Sequence, residues 1–282
     1  MDPSAVFIVN PVSGKGKKER IVSFLRSQGC EVVFTAYAGH AEELARHAEA
    51  RVVVAVGGDG TVNEVARGLV GTGKTLGIIP CGSGDGLALH LGISRNVRKA
   101  LDVVRKGKTA VLDCAQIDGR PFFSVCGVGL DAIVSERFAR AGSRGLHTYI
   151  SEAVRTWKGF VPGKYRIKLD GRSISREAVL ITVGNSNQWG NGARVTPLAR
   201  TDDGKLDVTV VSMFRTAEIP VLAWRLMTGS FNRSGRVECL RAENLEIIRA
   251  SEGPAHFDGD CFHAGKEIRI SVLQQKLKVL VP

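Results

Sequence analysis

The sequence predicts an α/β protein in two parts: an N-terminal domain with a doubly wound parallel sheet, then a C-terminal domain built as an antiparallel β-sandwich, with the site in the cleft between them. Three observations carry that expectation. Through the N-terminal third, short apolar runs alternate with helical segments, the grammar of right-handed crossovers onto a parallel sheet. From about Thr109 strand follows strand, interrupted by one helical stretch. Three glycine-bearing loops fall where the parallel strands would end, at 10–16, 57–61 and 80–86, and ligands of such sheets sit at those ends.

The elements follow in order. Residues 5–10 form a strand and the helix after it runs to about Gln28; a strand at 31–35 precedes a helix at 41–49; a strand at 52–56 feeds the central glycine loop; and 75–79 is the fourth strand. Next come two apolar runs, 110–117 and 122–128, separated by Asp118-Gly119-Arg120-Pro121, which reads as a hairpin turn. A helical stretch over 132–158 precedes strands at 165–169, 178–183, 206–211, 237–240, 245–249, 267–273 and 276–281. The boundary is placed so that 1–120 and 121–282 are the two domains, the last strand being a candidate to return to the first.

The central loop, Gly57-Gly58-Asp59-Gly60-Thr61, carries the chemistry. Glycines at a strand-to-helix junction let the backbone approach a ligand, and the helix N–H groups that follow favour an anion. A carboxylate there, Asp59, suits bound phosphates only with a cation such as Mg2+ between them; the alternative is a structural turn with an incidental Asp. Thr61 and Glu64 match the capping-box pattern.

Composition narrows the field. Lys and Arg number 39 against 28 Asp and Glu, a net charge of +11, which implies a polyanionic partner or a generally basic surface. Aromatics are 6% and no basic-aromatic repeat occurs, so no nucleic-acid partner is expected. Six scattered Cys without a C-x-x-C pair indicate neither zinc nor a disulfide framework. The six His show no ligand spacing; His147, with Tyr149, is a candidate for an acceptor pocket. The start of the chain shows no leader pattern and no window has the length of a membrane span, so a cytoplasmic protein is expected.

Taken together, Asn10-Pro11-x-Ser13-Gly14, Gly57-Gly58-Asp59-Gly60-Thr61-x-Asn63-Glu64 and Pro80-x-Gly82-Ser83 resemble the catalytic domain of the diacylglycerol kinase and sphingosine kinase superfamily of lipid kinases. The resemblance continues through Gly127-x-Gly129-x-Asp131-Ala132, Asp203-Gly204-x-Leu206-Asp207-Val208 and Asp258-Gly259-Asp260, over essentially the whole chain. It implies ATP and Mg2+ as cofactors and a lipid as acceptor. Nucleotide contacts would come from Asn10, Pro11, Ser13, Gly14, Lys15, Thr35, Gly57, Gly58, Gly60, Thr61, Asn63, Glu64 and Ser83. Asp59 would be both catalytic and a Mg2+ ligand, Asp131 would orient the acceptor at the mouth of the second domain, and Asp260 would accept its proton, with Asp59 as the alternative base. A structural Mg2+ would take the Asp203 carboxylate with the carbonyls of Arg200 and Lys205; the alternative for that segment is a plain type I turn.

Two departures matter. The loop Gly82-Ser83-Gly84-Asp85-Gly86-Leu87-Ala88 looks closer to sphingosine kinases than to bacterial diacylglycerol kinases, and the usual Asp-Gly-Glu becomes Asp258-Gly259-Asp260, one methylene shorter. Three rivals are weighed. Gly127-Val128-Gly129-Leu130-Asp131-Ala132 fits a dinucleotide fingerprint but opens the second half of the chain rather than a first βα turn. An NAD kinase would share the Gly-Gly-Asp-Gly turn, and a sensor without catalysis would explain Asp260 in place of Glu. Peripheral contact with an anionic membrane surface is expected through 215–236 and 144–164, although Leu222 and Trp224 are expected in the core. The oligomeric state is open, a homodimer included.

Overall fold

The computed structural model describes residues 5–12, 18–140, 146–157 and 159–282. It divides into two compact units, one formed by residues 1–114 with 274–282 and one by 115–273.

In the first unit, β1 (Ala5–Val9), α1 (Lys18–Ser27), β2 (Glu31–Phe34), α2 (His40–His47), β3 (Val52–Gly57), α3 (Asp59–Leu69) and β4 (Thr75–Pro80) alternate as expected. Two further helices, α4 (Gly86–His90) and α5 (Val97–Lys106), precede β5 (Lys108–Ile117). The strands pair in the order β2-β1-β3-β4, all parallel. Parallel strands covered on both faces must be apolar throughout, and Val53, Val54, Ala55 and Val56 of β3 are accordingly buried. Helix α5 starts at Asn96, whose side chain accepts from the Arg98 and Lys99 amides, satisfying two donors the helix cannot pair itself.

The second unit begins with the end of β5, then β6 (Arg120–Phe122), β7 (Val125–Gly129), α6 (Leu130–Arg140) and α7 (Leu146–Trp157). There follow β8 (Gly163–Leu169), β9 (Arg172–Ala178), β10 (Leu180–Gly184), β11 (Leu206–Val211), α8 (Ile219–Thr228), β12 (Val237–Ala242), β13 (Asn244–Arg249), β14 (Gly253–Phe257), β15 (Asp260–Ala264) and β16 (Glu267–Val281). One antiparallel sheet runs β12-β11-β10-β7-β14-β15. A second joins the start of β16 to β13, β8 and β9, also antiparallel. Their facing side chains, among them Val128, Ile167, Ile181, Val208, Ile247 and Ile268, form one buried core, so the expected sandwich is present. A smaller core on the other face of the first sheet gathers Val125, Leu180, Val195, Val211, Leu222 and Phe231. Strands β10 and β11 are therefore buried on both faces, and their polar members Thr182, Asp207 and Thr209 are buried with them.

Three Asp-Gly pairs make the tight turns of this unit. Asp118-Gly119, Asp170-Gly171 and Asp258-Gly259 each have positive φ at both residues and join strands by two-residue hairpins, the type I′ geometry that matches strand twist. Each Asp side chain also serves a neighbour. Asp118 accepts from the Arg269 amide, Asp170 from the Glu243 and Asn244 amides, and Asp258 from those of Phe123, Ser124 and Val125. Arg249 clamps the open end of the β14-β15 hairpin by donating to the carbonyls of Gly253, Pro254, Ala264 and Gly265, and its partial burial lowers the guanidinium pKa.

Several expectations change here. The two strands at 267–273 and 276–281 are one strand, β16: Gln274 and Gln275 lie exposed and stay extended. Its first half pairs antiparallel with β13 and its second half parallel with β4, so it leaves the second unit and completes the sheet of the first. Strands β9, β14 and β15 are additions: β9 is mostly polar, and β14 and β15 are five-residue strands of which the first opens on Gly-Pro. The helical stretch expected over 132–158 corresponds to α6 and α7.

Candidate active site

In the first unit the predicted loops meet at the carboxyl edge of the parallel sheet. Gly58 is the N-cap of α3 and Asp59 its first residue. The Asp59 carboxylate faces the 82–86 loop, where Oδ2 accepts from the Asp85 amide at 2.8 Å and Oδ1 from the Gly86 amide at 2.6 Å. Side chains are excluded where the loops touch, since a Cβ on Gly82 would stand 2.5 Å from the Gly58 Cα; within the central loop itself, one on Gly57 would collide with Thr61. Asn10, just past β1, donates from Nδ2 to Thr61 Oγ1 at 3.2 Å and accepts the Val12 amide at 2.9 Å. Lys18 Nζ donates to the Pro11 carbonyl at 2.6 Å, bringing a cation beside this turn. Thr35 is buried and its amide donates to the Val9 carbonyl.

Asn10, Thr35, Gly57, Gly58, Asp59, Gly60 and Thr61 thus share one edge, with Ser83 exposed on the facing loop and Asn63 buried inside α3. Ser13, Gly14 and Lys15 lie outside the described residues, as do the side chains of His147 and Tyr149. Glu64 is not part of a capping box. Thr61 already sits inside α3, so Glu64 points away and accepts the Gly39 and Ala41 amides at 2.9 and 3.2 Å, pinning the start of α2.

Asp85 is the residue sequence reasoning missed. It holds a left-handed conformation with φ 52°, is 3% exposed, and binds the Gly82 amide through Oδ1 and Arg95 Nε through Oδ2 at 2.8 Å. Burial pushes its carboxyl pKa up, opposed by Arg95. An Asp between two glycines was the available signal, since Asp tolerates this backbone region better than most residues. Arg95 thereby fixes the loop whose amides hold Asp59. Burial pushes the adjoining Cys81 thiol up to about 11, with Asp85 adding to the effect, so it is protonated at neutral pH and no nucleophile.

In the second unit Asp131 opens α6 but does not lie at a mouth. It is 3% exposed, with Oδ1 on the Ala132 amide and Oδ2 receiving Thr182 Oγ1 at 2.9 Å and contacting His256 Nε2 at 3.0 Å. Gly127 leaves the room for this triad, because a Cβ there would stand 2.8 Å from Asp131 Oδ2 and 3.0 Å from His256 Nε2. An acid turned inward and fully engaged ties the start of α6 to β10 and β14. Asp260, by contrast, is exposed, on the hairpin whose turn Asp258 anchors.

The Asp203 turn does not fit the expected structural Mg2+. Asp203 forms an ion pair with the Arg241 guanidinium, accepts the Lys205 amide, and neighbours the Arg200–Asp202 pair. Arg241 Nε also stands 3.4 Å from Asp207, its ladder partner. A guanidinium meets the carboxylate that the metal would need.

Comparison with known proteins bears on the whole arrangement. Residues 4–117 match the family model described as the diacylglycerol kinase catalytic domain, and 124–281 match the YegS C-terminal NAD kinase beta sandwich-like domain. The chain is 26% identical to the diacylglycerol kinase of Bacillus subtilis (strain 168) over 98% of each chain. It is 29% identical to that of Mycobacterium tuberculosis (strain ATCC 25618 / H37Rv) over 98% of this chain and 94% of the relative. A candidate diacylglycerol kinase from Bacillus anthracis str. Sterne superposes with TM-score 0.82 at 26% identity, covering 99% of this chain and 97% of that one. An NAD kinase from Archaeoglobus fulgidus, solved in complex with ATP, shares the fold at TM-score 0.56 and 13% identity over 98% and 93% of the chains. The chain belongs to the family of the YegS C-terminal NAD kinase beta sandwich-like domain, whose model matches more than half of it, and with a diacylglycerol kinase catalytic domain matched at 4–117 it is a lipid kinase.

Proposed function

We propose that this chain transfers the γ-phosphoryl group of ATP to a hydroxyl of a membrane-derived lipid of diacylglycerol or sphingoid-base type. The observation that carries the reading is the glycine junction of the first unit, where Asp59 stands half-exposed at the start of α3 with both carboxylate oxygens held by the 85–86 amides. Phosphoryl transfer has a loose transition state, so alignment of the hydroxyl and neutralisation of phosphate charge are the main tasks. Asp59 fits Mg2+ as a single carboxylate ligand, because this ion commonly takes one or two carboxylates and fills its shell with phosphate oxygens and water. When bound with ATP, the ion would offset the charge on the phosphates. The start of α3, with Asn10 and Thr61, would receive the phosphates, and Lys18 would add positive charge nearby. Asp260 is the candidate proton acceptor, since it is exposed while Asp131 is fully engaged inside its unit.

A labelled-phosphate assay with ATP tests the reading across diacylglycerol, monoacylglycerol, ceramide, a sphingoid base and NAD. A labelled lipid product dependent on Asp59 supports it. Phosphorylated NAD with no lipid product would place the chain with the NAD kinases.

A further inference from the structure

Helix α8 is covered on one side only. Its sequence, Ile-Pro-Val-Leu-Ala-Trp-Arg-Leu-Met-Thr, contains one charged residue, Arg225. Leu222 and Leu226 pack into the smaller core with Val211 and Phe231. The opposite face is apolar and open: Trp224 is 63% exposed, Met227 55%, Val221 54% and Ile219 38%, with Pro220 and Ala223 also exposed. A soluble helix ordinarily turns charged side chains outward, and a contiguous apolar patch of this kind marks an interaction surface. Trp224 was expected in the core and is instead the most exposed large side chain of the helix.

We propose that this face of α8 inserts into the headgroup region of an anionic bilayer and docks the kinase on the membrane that holds its acceptor; the choice of a bilayer rests on the lipid-kinase reading. The rim argues for that partner. Arg225 borders the face, Arg215 precedes the helix, and Arg233 follows on the segment packed against it. Arg194 reaches the helix end, where its side chain would meet a Cβ on Gly229. The acid at the helix start, Glu218, is neutralised by Arg236, whose Nε and Nη2 donate to it at 2.9 and 3.0 Å. An apolar stripe with a central Trp, bounded by arginines, matches the layering of an anionic interface. A second copy across a two-fold axis would bring the arginine rims face to face, an unfavourable juxtaposition.

Sedimentation of the full chain with vesicles decides the proposal. The wild type is expected to bind phosphatidylcholine vesicles containing phosphatidylglycerol and to leave them as salt rises. Trp224→Ser and the double variant Val221→Ser/Trp224→Ser are expected to bind about tenfold more weakly or worse, with unchanged melting temperature. Both should phosphorylate a short-chain acceptor dissolved as monomers at the wild-type rate and lose rate only on acceptor held in vesicles. Wild-type vesicle binding by the double variant would overturn the proposal. So would a wild-type dimer that Trp224→Ser dissociates without any vesicle binding, because the face would then be a subunit contact. Failure to phosphorylate any lipid, with Trp224-dependent vesicle binding intact, would overturn the choice of acceptor and leave the docking surface standing.

Discussion

Replacing Asp59 by Asn separates the anchoring that the structure shows from the phosphate role proposed for this residue. The carboxylate accepts two backbone amides, at 2.8 and 2.6 Å. Asn keeps one acceptor oxygen and turns an NH2 toward the other amide, so one charge-assisted hydrogen bond is lost and two donors face each other. A bond of that kind contributes about 1.5–3 kcal/mol, and loss of negative charge from the first turn of α3 adds roughly 0.5 kcal/mol. Water can relieve part of this at a half-exposed position, which leaves about 2 kcal/mol, or a fall in Tm of roughly 5 °C for a protein of this size. If the same carboxylate also serves the phosphates, kcat should fall by about 10²-fold or more. Calorimetry and the labelled-phosphate assay read the two effects separately. An unchanged Tm would refute the anchoring argument, and near wild-type kcat despite a lowered Tm would make Asp59 an anchor alone.

Two further variants test the second unit. Asp258→Asn keeps the left-handed turn, which Asn tolerates, but leaves fewer acceptors for the buried amides of Phe123, Ser124 and Val125; denaturant unfolding should show a loss of about 2 kcal/mol or more, and full retention would discount the anchor. Arg241→Met leaves Asp203 and Asp207 without their shared guanidinium. Burial raises the Asp207 pKa, Arg241 opposes that rise, and Asp203 adds to it, so in the variant it climbs further. A carboxyl raised in the folded state contributes stability that is present at low pH and lost as pH rises through the folded pKa. The deficit of this variant in Tm should therefore narrow as pH falls from about 7.5 toward about 4.5, and a deficit independent of pH would sink the account.

What the sequence made legible was what local chemistry dictates. Apolar runs gave the parallel strands, and the hairpin expected at 118–121 is present, although its turn is Asp118-Gly119 alone, Arg120 and Pro121 belong to β6, and the run expected at 122–128 is divided between β6 and β7. Glu64 misled for an instructive reason: its spacing from Thr61 satisfies a local rule, yet its partners, Gly39 and Ala41, belong to another helix. Asp131 was read by position in a motif, and only the fold reveals that Thr182 and His256 consume its carboxylate. Strand β9 is polar at most positions, and β14 and β15 are short strands in which Gly253-Pro254 and Asp260 read as loop residues. Trp224 was assigned to the core on average behaviour, while the orientation of α8 is set by Leu222 and Leu226 meeting the underlying sheet.

Strand β16 has a consequence for the order of assembly. The edge of β4 is closed by Lys278 and Val279 pairing with Thr75 and Leu76, so one sheet joins segments separated by about two hundred residues, a contact that forms slowly because a long loop must close. On a ribosome the parallel sheet would emerge with β4 as an unprotected apolar edge and remain so while all of the second unit is synthesised. Such an edge invites pairing with other chains. The second unit is thus an insertion whose own folding brings the two ends of its host together, and its speed sets how long that edge stays open.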